Sequence, residues 1–162
     1  MTPSIEQIHT DILSSYGPPE SPSWGFVGER HAAAPYAAAV NALGSLAQIK
    51  DETDLNNDVG LWLELSFASP SQPRCGLCLS YVGPYAVLYR YGQSVLTPHS
   101  NDLSASEESV LQLLTSLGLF VLDDILLQSP YPMQGLSYNP DPQNVRLFHV
   151  LFSDEHGFPP WR

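Results

Sequence analysis

Hydrophobic positions change period several times along the chain, and each change marks an element. Ile5, Ile8, Ile12 and Leu13 share one face at helical spacing. They predict a helix over 3–15, capped by Thr2, with Pro3 in its first turn and Gly17-Pro18-Pro19 ending it. The stretch 17–31 is rich in Pro, Gly and Ser and reads as a long loop, which Trp24 and Phe26 hold against the core. A second helix is predicted over 33–49, where Tyr36, Val40, Leu43 and Ala47 line one side of an alanine-rich segment. Asp51, Glu52, Asp54, Asn56, Asn57 and Asp58 follow as an acidic polar loop.

The period then drops to two. Over 60–68, Leu61, Leu63, Leu65 and Phe67 alternate with Trp62, Glu64 and Ser66, which predicts a strand with one buried face. Two further strands, 75–82 and 85–91, flank Gly83-Pro84 and complete an antiparallel meander. Val110, Leu111, Leu114 and Leu117 restore the helical period over 104–117. Ser104 or Ser106 caps that helix, Glu107 and Glu108 occupy its first turn, and Gly118 closes it in the left-handed conformation. A short strand at 119–122 and one helical turn at 123–127, capped by Asp123, come next. An irregular loop over 128–144 leads to a last strand at 145–152, apolar on both faces and so placed centrally. The order ααβββαβ(α)β groups helices and strands in runs. It predicts an α+β fold, with a mostly antiparallel sheet of about five strands and helices on one face, in a single domain over 1–162.

Charge narrows the function. Seventeen acidic residues against six basic ones give a formal charge of −11. So few cations cannot neutralise a run of phosphates or hold an anionic membrane, which argues against nucleic-acid and membrane partners. The longest mostly apolar stretch, Leu117 to Leu127, is interrupted by Gly118, Asp123 and Asp124 and falls short of a membrane span. The N-terminal segment has no basic start followed by an apolar run, so no cleaved signal is expected. With only two cysteines, the expected setting is a reduced cytoplasm.

Candidate chemistry is sparse. Cys75-Gly76-Leu77-Cys78 has the spacing of a redox pair but lies in a strand, where residues three apart face opposite ways and cannot bridge. The five histidines are scattered, and Asp154-Glu155-His156 reads as a polar turn rather than a metal site. No nucleophile elbow, phosphate-binding glycine loop or dinucleotide fingerprint occurs. No catalytic residue, metal or cofactor is therefore assigned.

Aromatic residues and negative charge remain. The expectation is a non-catalytic, acidic protein-binding module, an immunity or inhibitor protein that occludes a basic toxin or enzyme in the cytoplasm. Its candidate partner surface comprises the aromatic anchors Trp62, Tyr85 and Tyr89 with the carboxylates Glu64, Asp123 and Asp124. The alternative is a small enzyme or small-molecule binder with a pocket between helix and sheet, gathering Glu64, His149 or the cysteines. A third possibility is a subunit of a larger assembly, docked through 145–152 or the FPPWR tail.

Overall fold

Alternation in the central strands sends side chains to two opposite faces, and both faces are covered. The computed structural model describes residues 2–154 and 159–161. Its helices are α1 (Ile5–Tyr16), α2 (Gly25–Ala33), α3 (Ala37–Leu43), α4 (Ala105–Ser116), α5 (Asp124–Leu127) and α6 (Leu147–Leu151). Its strands are β1 (Gln48–Asp51), β2 (Gly60–Ser66), β3 (Cys75–Ser80), β4 (Tyr85–Arg90), β5 (Ser94–Leu96) and β6 (Phe120–Val121). Strands β1 to β5 form an antiparallel sheet in chain order, and β6 pairs with β4 in parallel. The class is α+β with a mostly antiparallel sheet, as the pattern predicts.

Register explains the two-sided burial. Leu63, Leu77 and Leu88 stand side by side across β2, β3 and β4. They pack with Leu43 of α3 and with Val110, Leu111 and Leu114 of α4. One residue along, Trp62, Cys78 and Val87 are aligned and point the other way. That face packs against Ile8, Ile12 and Tyr16 of α1, Phe26 and Val27 of α2, Leu127 of α5 and most of α6. Helices thus lie on both sides of the sheet, where the sequence pattern predicted one.

The second layer also accounts for the local differences. Segment 145–152 is not a central strand: Leu147–Leu151 is helical and buried on every side. A short run that is apolar all round carries no period that separates buried helix from buried strand. Residues 25–33 are α2 rather than loop, because Phe26 and Val27 gain burial that outweighs two unfavourable glycines. The second predicted helix ends at Leu43, and Gln48–Asp51 forms the edge strand β1 instead.

Capping follows the sequence more closely. Ser4, not Thr2, caps α1 by accepting from the Gln7 amide at 3.1 Å. Ser104 and Glu107 form a reciprocal capping box on α4. Gly118 follows at φ +80°, the left-handed conformation expected of it. Asp123 caps α5 through the Leu126 amide at 2.8 Å.

Two features tie the layers together. Arg90 on β4 meets Glu107 on α4 through two bonds, Nη2 to Oε1 at 2.6 Å and Nε to Oε2 at 2.8 Å, with the carboxylate fully buried. On the opposite face the Tyr16 hydroxyl donates to the Val150 carbonyl at 2.6 Å, joining α1 to α6 across 134 positions of sequence. Among the described residues no helix is long and apolar enough to cross a membrane.

Candidate functional site

The predicted aromatic anchors lie in the core. Trp62 is 6 % exposed, and Tyr85 and Tyr89 are fully buried. The Trp62 indole N–H donates to the Tyr89 hydroxyl at 2.8 Å, and the Tyr85 hydroxyl donates to the Asp11 carboxylate. Burial pushes both of those phenols well above the ordinary tyrosine range. The Tyr89 ring covers Gly76, its direct cross-strand neighbour, where a Cβ would meet ring carbon Cζ at 2.0 Å. The outward orientation expected of Trp62 fails because α2, α6 and Trp161 form a second layer over that face.

The candidate carboxylates are separate as well. Glu64 accepts from Arg74 at 3.0 Å on β2. Asp123 is committed to its helix cap, while Asp124 accepts from the Trp161 indole N–H at 2.9 Å. These two acids flank Ile125, which is 85 % exposed, at the start of α5, whereas Glu64 lies on β2.

Nor do the residues of the alternative pocket converge. Cys75 and Cys78 face opposite sides of β3, as their spacing predicts, and both are buried in the core and not joined in a disulfide. Cys75 Sγ donates to Glu107 Oε2 at 3.7 Å, and burial first, then the Glu107 charge, pushes its thiol up to about 12. His149 sits in α6, where Nδ1 accepts from the Arg146 amide at 3.0 Å. Among the described residues no group of three or more His, Cys, Asp and Glu side chains is placed to hold a metal ion. Glu155 and His156 lie outside the described residues.

The structure gathers two other sets that are distant in sequence. A cavity of about 350 Å³ lies between α2 and the β1–β2 loop, walled by Trp24, Val27 and Leu55 and floored by Asp58 and Asp154. Asp58 accepts from Ser153 Oγ and from the Asp54 amide, both at 2.7 Å, and burial raises its carboxyl. Asp154 accepts from Asn139 Nδ2 at 2.8 Å and from the Tyr138 amide at 3.2 Å. These bonds stitch the β1–β2 loop to the C-terminal segment, so both carboxylates work first as loop anchors.

The second set forms a groove of about 490 Å³ between α2, α3 and the sheet, lined by His31, Tyr36, Asp51, Leu61 and Tyr81. His31 Nδ1 lies 2.8 Å from the Tyr81 hydroxyl. The Tyr36 and Tyr81 rings are nearly parallel at 16°, with centroids 6.3 Å apart. Burial pushes both phenols up to about 12, so they are neutral hydrogen-bonding groups near pH 7. No single stretch of sequence signals this groove, because the chain must fold before residues 31–36, 51, 61 and 81 meet.

Surface electrostatics are one-sided. Among the described residues three cations meet carboxylates: Lys50 with Glu52 at 2.9 Å, Arg74 with Glu64, and Arg90 with Glu107. Arg30 and Arg146 are spent instead on hydroxyl and backbone acceptors. The end of β1 and the loop after it keep Asp51 and Asp54 exposed near Leu55, which is 44 % exposed. No family model, curated protein or solved structure matches the chain.

Proposed function

We propose that the chain is a non-catalytic, acidic protein-binding module of the cytoplasm. In this reading it covers a basic protein partner, in the manner of an immunity protein that occludes a nuclease-like toxin. The observation that carries the reading is uncompensated negative charge: 17 acidic side chains against six basic ones, with acids exposed on the loop around Leu55. A field of one sign accelerates encounter with a cationic cleft, and a carboxylate rim around an apolar tip then excludes phosphate substrates from it.

The binding residues differ from those expected at the outset. Trp62, Tyr85 and Tyr89 serve the core, and the contact role passes to Asp51 at the end of β1 and to Asp54 and Leu55 on the loop that follows. The test is association kinetics with a co-purifying basic protein. Raising salt from about 50 mM to about 500 mM should slow association by about tenfold or more, and Asp54→Lys should slow it further at low salt. An affinity and on-rate indifferent to both changes would refute the proposal.

A further inference from the structure

The sheet ends at β1, and that edge is open. In an antiparallel ladder, hydrogen-bonded pairs alternate with pairs whose N–H and C=O groups point away from the partner strand. The Glu52 amide donates to the Trp62 carbonyl at 2.8 Å, which sets the phase. Lys50, opposite Glu64, and Gln48, opposite Ser66, share that phase and point their backbone groups inward. Ile49 and Asp51 fall between them, so their N–H and C=O groups point outward. Among the described residues no backbone or side-chain bond uses those four groups.

The surroundings fit one kind of occupant. The other end of the sheet, β5, has three residues and sits beside the segment ending in Trp161, where the Gly92 amide donates to the Pro160 carbonyl at 3.0 Å. At β1 the edge is exposed, and the groove of Tyr36, Tyr81 and Leu61 opens beside it with Asp51 on its wall. A lysine on an edge strand normally deters pairing, but the Lys50 ammonium is held by Glu52 at 2.9 Å. With Lys50 and Glu52 paired, the edge and its following loop present net negative charge through Asp51 and Asp54. Two copies of the chain, each at −11, would bring these carboxylates together, whereas a cationic strand would neutralise them.

We infer that β1 is a docking edge, to which an extended lysine- or arginine-bearing segment of a protein partner adds as a further strand. Backbone bonds to Ile49 and Asp51 hold the segment, and one of its alternate side chains places a cation in the groove between Asp51 and the tyrosine rings. This inference rests on the reading of the chain as a binder of basic proteins and specifies how the partner is held.

The experiment uses the isotopically labelled protein and the peptide acetyl-Lys-Val-Lys-Val-Lys-Val-amide, with the glutamate counterpart as control. Amide hydrogen exchange is followed residue by residue. Exchange at Ile49 and Asp51 should slow by about tenfold or more with the lysine peptide and stay unchanged with the glutamate peptide. Asp51→Lys, which keeps the outward backbone groups, should abolish the effect. If the lysine peptide binds while both amides exchange as before, strand addition is wrong and the binding-module reading survives. If the peptide does not bind at all, this inference is overturned, and the salt dependence with the natural partner tests the broader reading separately. If both amides are already protected without peptide and the particle mass is twice 17.8 kDa, the occupant is a second copy and the inference fails.

Discussion

Trp62→Ala discriminates sharply between a surface and a core role for the aromatic residues. The indole is 6 % exposed, meets the Tyr89 and Phe148 rings edge-on with centroids 6.4 and 6.2 Å away, and donates to the Tyr89 hydroxyl. An aromatic side chain buries about 150–250 Å², worth about 4–6 kcal/mol at about 25 cal/mol per Å². That range is an upper bound, because the unfolded chain already hides part of the surface. Truncations of this kind cost about 3–5 kcal/mol, so about 4 kcal/mol is expected, a large share of the roughly 5–15 kcal/mol typical of a domain. Trp62→Phe keeps a ring in place and removes only the donor and some contact area, for about 1–2 kcal/mol. Urea unfolding followed by far-ultraviolet circular dichroism reads both variants, with a shifted midpoint and an unchanged slope. A midpoint for Trp62→Ala within experimental error of the parent would refute the placement of this residue in the core.

Three further outcomes are expected. Arg90→Met should destabilise by about 3–5 kcal/mol near neutral pH, because it strands the Glu107 carboxylate among buried groups. Burial alone would raise the Glu107 carboxyl, but the Arg90 bonds and the Ser104 amide outweigh it and hold the carboxyl below the usual range. In the parent this contribution is complete above the unfolded carboxyl pKa and fades as pH falls through the lower folded value. In the variant only the Ser104 bonds still oppose burial, so the carboxyl rises and the deficit should shrink near pH 4, as urea midpoints at the two pH values will show. Gly118→Val should cost about 1–2 kcal/mol through backbone strain at φ +80°, since no atom lies within 4 Å of the added Cβ; equal thermal midpoints would contradict this. With the Cys75 thiol pushed up to about 12, Cys75 should resist an aromatic disulfide reagent near pH 8 until urea unfolds the chain, and rapid modification of the native protein would disprove its burial.

Legibility in the sequence followed the strength of local signals. The serine cap of α4, which falls on Ser104 of the two serines offered, the left-handed Gly118 and the leucine alternation of β2 are set by neighbours a few positions away, and the structure has all three. The second layer was also written in the pattern, since Tyr85, Val87 and Tyr89 make the face opposite Ala86 and Leu88 as apolar as its counterpart. Taking the sheet as one-sided hid that signal and turned Trp62 outward. Segment 147–151 was misread because burial on every side erases periodicity, and α2 because tertiary contacts of Phe26 and Val27 override two glycines. The acidic loop was visible as a charge run. The open edge beside it was not, because whether a strand has a neighbour on its far side is a property of the whole sheet.

The bond from Tyr16 to Val150 has a bearing on how the protein is made. Synthesis is vectorial, so α1 leaves the ribosome long before its partner α6 has been translated. Until then the sheet face of Trp62, Val87 and Tyr89 lacks the lid that α6 supplies, and the nascent chain carries that sticky surface while the residues between β4 and α6 are added. Closure waits for α6 and the residue after it, where the Ser80 hydroxyl meets the Leu151 carbonyl and the Val59 amide meets the Phe152 carbonyl. Chains cut short by a premature stop would expose this face permanently and become substrates for chaperones or proteases rather than weakened but usable protein.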